Sequence, residues 1–153
     1  MAFSRIELRN FRCFDALTID ISSNSSLFYG KNGCGKTSIL ESIYVASCGR
    51  SFRTSNLEAL IKNGSNSFKI KAYDDNSGSI LEVNKTKSKA INIKINNSLV
   101  TISELARTFP SFSIDSKTFF YTDNAPDYRR KHLDRGLFIC LLYTSPSPRD
   151  LMR

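Results

Sequence analysis

The spacing of apolar residues predicts strands near the start of the chain, then a helix, then a further set of strands. Apolar and polar residues alternate over 6–8 and again over 17–21, with a turn-like stretch at 10–15 between them, which predicts an antiparallel strand pair. Alternation returns over 66–102 and predicts a β meander of three or four short strands with one wet, lysine-rich face. The apolar run 27–29 predicts one more short strand.

A helix is predicted over 36–47, between these two alternating regions. Ile39, Ile43 and Ala46 share one face at helical spacing, and Gly49 follows as a helix stop. The order of strand, glycine-containing loop and helix over 27–47 is typical of an α/β protein that binds phosphate groups.

Shorter helical signals follow along the chain. The stretch 57–61 predicts a short helix. Thr101 and Glu104 have the spacing of a capping box, which predicts a helix continuing through Arg107. Pro126 suits the first turn of a last helix.

Composition narrows the class of partner and the compartment. The chain has 153 residues, of which 41% are hydrophobic and 24% charged, and its net charge is +8. This excess of basic residues favours an anionic partner such as nucleic acid, a nucleotide or a membrane surface. No apolar run could span a bilayer and no secretory signal is present, so we expect a cytoplasmic protein without membrane association. The four cysteines lack metal-ligand spacing, which favours reduced thiols over a zinc site or disulfides.

The strongest chemical signal is a glycine-rich loop. Residues 30–37 match G-x-x-x-x-G-K-[ST] in full, a pattern whose backbone N–H groups surround phosphates at the start of a helix. Lys36 is expected to reach the β- and γ-phosphates, Thr37 to ligate Mg²⁺, and Ser38 to donate to the α-phosphate. The predicted nucleotide site comprises Gly30, Lys31, Asn32, Gly33, Cys34, Gly35, Lys36, Thr37 and Ser38.

Segments in three parts of the chain resemble one protein family. The stretch 6–12, which ends in Asn-Phe-Arg before the loop, resembles the opening of ABC ATPases of the RecF, SMC and Rad50 type. The segments 39–44 and 49–53 are similar to the bacterial RecF family in particular. The Pro-x-x-Arg-Arg-x-x-Leu-Asp pattern of 126–134 is similar to the same family. The resemblance covers about residues 3–139.

This resemblance implies the front part of an α/β P-loop ATPase head that carries an antiparallel meander. It implies an ATP-dependent protein of recombinational repair and replication restart after DNA damage, within the SOS response. Its ligands would be ATP, Mg²⁺ and DNA, either single-stranded or at junctions with duplex. Its protein partners would be RecO, RecR and a second copy bound through ATP. Arg50 and Arg53 match the family's Gly-Arg-x-Phe-Arg pattern, which suggests an anion contact.

Two motifs needed for ATP hydrolysis are missing from the sequence, namely an apolar strand ending in Asp-Glu and the Leu-Ser-x-Gly-Gln type of signature. We therefore expect ATP binding without hydrolysis and assign no catalytic residue. The predicted organisation is a RecF-like head portion over 1–139, divided into 1–64, 66–102 and 101–139. Residues 140–153 resemble the translation of a sequencing adapter, and we expect them to be a non-native tail on a truncated gene read.

Alternatives and weaker signals remain open at this stage. The chain could be a stand-alone P-loop enzyme such as a small-molecule kinase, or an SMC-like structural ATPase head. A basic cluster on the last predicted helix could contact DNA or simply face solvent: Arg129, Arg130, Lys131 and Arg135. Three alternating lysines along a predicted strand or turn favour a polar or edge-protecting face over a track for DNA: Lys85, Lys87 and Lys89.

Overall fold

The computed structural model describes residues 3–21, 25–114, 133–134 and 136–137, and the chain divides into two units, Met1–Ser111 and Phe112–Arg153. In the second unit the described residues 133–134 and 136–137 are helical. The rest of the last predicted helix, its basic cluster and the tail over 140–153 lie outside the described residues.

The first unit is built on a six-stranded antiparallel sheet with the order β2-β1-β3-β4-β5-β6. Its strands are β1 (Arg5–Phe11), β2 (Phe14–Asp20), β3 (Ser67–Asp74), β4 (Ser79–Thr86), β5 (Asn92–Ile95) and β6 (Ser98–Leu99). The strand pair and the meander predicted from the sequence therefore both form. They also join into one sheet, because β1 pairs with β3 through Ile6 opposite Ala72 and Leu8 opposite Ile70.

The strand predicted at 27–29 is wrong, because residues 25–30 have no regular secondary structure. Leu27 and Tyr29 are 85% and 87% exposed. A strand needs a neighbouring strand to accept and donate its backbone hydrogen bonds, and the described sheet offers none to this segment.

The main helix, α1 (Lys36–Cys48), runs one residue beyond the predicted segment. Gly49 ends it with a left-handed φ of 64° and an N–H that donates to the Val45 carbonyl at 2.8 Å, as the sequence predicted. The face prediction was only partly right. Ala46 is buried, but Ile39 and Ile43 are only half-buried, because α1 turns a mixed polar and apolar face inward that includes Glu41, Ser42 and Val45.

The two shorter helical segments follow the sequence closely. The predicted helix over 57–61 is a 3₁₀ turn, Leu57–Leu60, because Ile61 is extended and forms a β-bridge with Phe11. The second helix, α2 (Ile102–Thr108), begins with the predicted capping box. There the Thr101 side chain accepts from the Glu104 N–H at 3.2 Å, and the Glu104 carboxylate accepts from the Thr101 N–H at 2.7 Å.

The core lies between one face of the sheet and the helices, since α1 contacts β1, β3, β4 and α2. Its fully buried members from the sheet include Ile6, Leu8, Ile70, Leu81 and Val83. The opposite face of the sheet carries Lys69 and Lys71, which agrees with the predicted lysine-rich face. No helix in the described ranges is long and apolar enough to cross a membrane.

Lys85 corrects part of that prediction. It lies on the core-facing row of β4 and is 7% exposed, whereas Lys87 and Lys89 are exposed in the turn that follows. Its ammonium group is bound by the Glu58 carboxylate at 3.4 Å and by the carbonyls of Thr86, at 3.0 Å, and of Lys89. A lysine can be buried in this way because each contact supplies an acceptor for the charged group.

Candidate nucleotide-binding site

The glycine loop joins the irregular segment 25–30 to the start of α1. Gly35 is the N-cap of α1 and has a left-handed φ of 96°. A Cβ atom at this position would lie 2.4 Å from the Phe14 ring and 3.1 Å from the Cys13 sulfur. Only glycine fits here, because both the backbone angle and the packing of the β1–β2 turn exclude a side chain.

The Lys36 side chain folds back over the loop. Its Nζ donates to the carbonyls of Gly30 at 2.8 Å and Lys31 at 2.7 Å, and lies 3.8 Å from the Cys34 sulfur. These three contacts hold the ammonium group against the loop. The positive end of the α1 dipole adds to this charge, because α1 begins at Lys36 itself.

A cavity of about 660 Å³ opens beside the loop. Six of the nine predicted site residues line it: Asn32, Gly33, Gly35, Lys36, Thr37 and Ser38. The other three, Gly30, Lys31 and Cys34, are the contacts of the Lys36 ammonium. The structure therefore brings all nine together, six on the wall of the cavity and three in contact with the Lys36 ammonium.

Two arginines line the same cavity, Arg12 from the β1–β2 turn and Arg53 from the loop after α1. No acidic residue is among the described residues that line it. Arg50, which the resemblance linked with Arg53, is exposed and is not part of the lining. The wall therefore carries the charge of three cations, Arg12, Lys36 and Arg53.

A buried carboxylate, Glu41, contacts both arginines and is not itself among the described residues that line the cavity. The Arg12 fork donates to it from Nε and Nη2, both at 2.9 Å, and Arg53 Nη1 lies 3.7 Å from Oε2. The Ser51 hydroxyl also donates to Glu41. The sequence alone indicated no role for Arg12 or Glu41. Two features of the sequence could have indicated them. Arg12 lies in the turn of the predicted strand pair, and Glu41 is an acidic residue within the predicted helix.

The cavity meets the requirements of a nucleotide triphosphate. Its volume lies within the range of about 300–1,000 Å³ that is usual for small-molecule sites. Its cations, loop N–H groups and helix N-terminus are donors for phosphate oxygens. The Thr37 hydroxyl on its wall fits Mg²⁺, which commonly takes one or two protein oxygens and completes its shell with water and phosphate. The described residues contain no cluster of three or more His, Cys, Asp or Glu side chains that could hold a metal alone.

Comparison with known proteins gives one family and a consistent set of relatives. The family model of the AAA domain matches residues 5–135. The DNA replication and repair protein RecF of Pseudoalteromonas translucida is 39% identical over 142 residues, which are 90% of this chain and 39% of that protein. RecF of Francisella tularensis subsp. novicida is 37% identical over 141 residues, covering 90% and 40%. The chain thus spans about two fifths of the length of these relatives.

Solved structures agree on the fold. A structure of the recombination mediator protein RecF with ATP, in the RecFOR pathway, matches with a TM-score of 0.78 and 26% identity, over 87% of this chain and 38% of that one. A structure of an SMC ATPase, from work on ATP-driven dimerization and DNA-stimulated activation, matches with a TM-score of 0.70 over 87% and 98%. Its 18% identity shows a shared fold alone. The predicted α/β P-loop ATPase head with an antiparallel sheet is confirmed.

Proposed function

This chain belongs to the AAA domain family and is RecF-like over nine tenths of its length, and from that premise we propose that it binds ATP through the loop 30–38. The observation that carries the proposal is the position of Lys36 and Thr37, at the N-terminus of α1 and on the wall of a cavity whose described lining residues include no acid. The solved RecF–ATP structure supports ATP as the nucleotide.

Each part of the loop has a distinct task in this proposal. The Lys36 ammonium now donates to the Gly30 and Lys31 carbonyls, and with nucleotide bound it donates to the β- and γ-phosphates. The loop N–H groups and the first turn of α1 donate to the remaining phosphate oxygens. The Thr37 hydroxyl holds Mg²⁺, which when bound neutralises part of the phosphate charge. The proposed activity is binding, and no residue is assigned to hydrolysis.

For a longer RecF-like protein that contains this chain, we propose a role in DNA replication and repair. The relatives carry that function in their names, and the net charge of +8 suits a polyanionic partner. Binding to single-stranded DNA and its junctions, association with RecO and RecR, an ATP-dependent homodimer and a cytoplasmic location all belong to this proposal. So does the division into a head portion over 1–139 and a non-native tail over 140–153. Sequence identity favours a RecF-like protein over an SMC head, because a RecF relative reaches 39% and the SMC structure 18%.

ATP binding is tested by calorimetric titration of the chain and its Lys36→Ala variant with ATP and Mg²⁺. We expect the variant to bind about a hundredfold more weakly, since the ammonium would make charge-assisted hydrogen bonds to two phosphates. Lys87→Ala is the matched control, because it removes the same charge from an exposed turn outside the cavity. Equal affinity in the wild type and the Lys36 variant would contradict the site assignment.

DNA binding is tested separately by filter binding of single-stranded oligonucleotides across a salt series, with and without ATP. Phosphate contacts release counterions, so the logarithm of the affinity is expected to fall linearly with the logarithm of the salt concentration. A flat salt dependence, or no retention of DNA at low salt, would remove DNA from the proposal and leave the ATP site standing.

A further inference from the structure

The side chain of Glu41 is completely buried, although it carries a carboxylate and lies one and a half turns into α1. Its partners come from two other parts of the chain. Arg12 belongs to the turn between β1 and β2, and Ser51 and Arg53 belong to the loop that follows α1. Glu41 therefore ties together three of the segments that surround the cavity.

Burial of this carboxylate needs a reason beyond packing. An ionised group removed from water is costly unless ion pairs and hydrogen bonds replace its hydration, and an apolar residue of similar size often stabilises a fold equally well. Every partner of Glu41 is supplied by a segment at the cavity, and two of them, Arg12 and Arg53, line it. The arrangement is the one expected of a group that orients other side chains.

The two arginines are held to different degrees. Arg12 makes three hydrogen bonds, two to Glu41 and one from Nη1 to the Ala59 carbonyl at 2.9 Å, and its side chain is 23% exposed. Arg53 makes one ion pair at 3.7 Å, and its side chain is 48% exposed. Arg12 is thus fixed in one orientation, while Arg53 keeps most of its guanidinium available to an anion.

We propose that Glu41 is a positioning residue that presents Arg12 and Arg53 to the phosphate chain of the nucleotide and so raises the preference of the site for ATP over AMP. This inference rests on the proposed ATP site. Preference follows from geometry: the arginines lie on the wall that also carries Lys36 and Thr37, so their free N–H groups add donors for the phosphates that AMP lacks.

A purely electrostatic role predicts the opposite sign. If Glu41 acted only as a negative charge near the cavity, its neutralisation would strengthen ATP binding by reducing repulsion of the phosphates. If it positions the arginines, neutralisation weakens ATP binding. The two N–H groups of the Arg12 fork donate to different Glu41 oxygens, and the NH2 end of an amide cannot accept the second of these bonds.

The test measures ATP and AMP affinities of the whole chain and of Glu41→Gln by competition with a fluorescent ATP analogue. We expect ATP affinity to fall about tenfold, the worth of one charge-assisted hydrogen bond, with AMP affinity changed by less than about twofold. Unchanged or tighter ATP binding would overturn the inference. An equal loss for ATP and AMP would also overturn it, because that is the result of general loosening of the fold.

A second pair of variants tests the part of the inference that concerns Arg53, whether or not Glu41→Gln folds. Arg53→Ala removes a half-exposed side chain and is expected to weaken ATP binding about tenfold and AMP binding by less than about twofold. Arg50→Ala removes the same charge three residues earlier, outside the cavity lining, and is expected to bind both nucleotides as the wild type does. Equal behaviour of the two arginine variants would overturn the inference.

Failure of this inference is distinguishable from failure of the proposed function. A wild-type chain that does not bind ATP would contradict the nucleotide site itself. A wild-type chain that binds ATP, and whose Lys36→Ala variant does not, would establish the site. The Glu41 and arginine variants would then report on positioning alone.

Discussion

Two carboxylates in this fold each lie between two basic side chains, one beside the cavity and one on the outer face of the sheet. Glu41 is completely buried and is gripped by the fork of Arg12, with Arg53 further away. Glu82 is 17% exposed and accepts one lysine on each oxygen, Lys69 at 2.9 Å and Lys71 at 3.0 Å. Each cluster therefore has one carboxylate and two basic side chains, but one carboxylate is fully buried and the other is partly exposed.

The difference shows what each cation contributes. A guanidinium fork fixes both direction and distance, whereas an ammonium group is a flexible point charge that water can replace. On the sheet, the lysine hydrogen bonds, that of Lys69 first, lower the pKa of Glu82 below its ordinary value. Such pairs on a half-exposed surface add little to stability. Beside the cavity, the Glu41 carboxylate fixes the orientation of the Arg12 guanidinium.

The largest contrast is expected when each carboxylate is removed. Glu41→Ala should lower the free energy of unfolding by about 3–5 kcal/mol, because it leaves the buried part of the Arg12 fork without its partner. Glu82→Ala should cost less than about 1 kcal/mol, because Lys69 and Lys71 can turn toward water. Urea denaturation of both variants gives the two values. Costs of similar size would show that the two clusters do not differ in the way described here.

A smaller effect is expected from alanine at two left-handed glycines, one in each region. Gly35 has φ 96° and would press a methyl group on Phe14, while Gly78, in the β3–β4 turn, has φ 65° and open space around it. We expect Gly78→Ala to cost about 1 kcal/mol from backbone strain alone. Gly35→Ala should cost about 2–4 kcal/mol, since the contact with the ring adds to the same strain. Thermal unfolding of the two variants measures both losses of stability, and their difference is the cost of the contact with Phe14. Equal losses for the two variants would exclude that steric cost.

The smallest effect concerns acid. The pKa of Glu82 is lowered by its lysines, and that of Glu58 is lowered first by the Ser88 N–H and then by Lys85. A lowered folded-state pKa adds stability above the ordinary glutamate value, near pH 4.3, and that stability is lost as pH falls through the lowered value. Glu82→Gln should therefore change stability slightly at pH 7 and flatten its decline between about pH 5 and 3. Molar salt should mimic the variant at pH 7, because it screens this half-exposed cluster. If the stability of the variant declined as steeply with falling pH as that of the wild type, Glu82 would not contribute to the acid sensitivity of the fold.

The two regions were also unequally accessible to reasoning from the sequence. The alternation of β3 and β4 is visible residue by residue, because every second side chain enters the core, and the glycine loop is a local motif. The pairing of β1 with β3 joins segments that are far apart in the sequence, and alternation within each strand does not predict which strand it pairs with. The exposure of Leu27 depends in the same way on neighbours that an apolar run does not reveal.

The charge clusters were the least predictable part. Glu41 and Arg12 are 29 positions apart, and nothing in the spacing of either one announces the other. Lys85 stands in an alternating row of lysines, which favours a wet face, yet its register with Phe68 turns it toward the core, where Glu58 meets it. In both cases a distant partner overrides the local preference of a charged residue for water.

The interior position of β1, between β2 and β3, has a consequence for the order of folding. Ser4 is hydrogen bonded to Tyr73, 69 positions later, and the phosphate loop and α1 lie within the chain segment that this pairing closes. Closing so long a loop costs chain entropy before any contact repays it, and such topologies fold slowly. The β3–β4 hairpin needs no such closure and can form first. The nucleotide loop should then acquire its shape late, when β1 docks on a hairpin that is already formed.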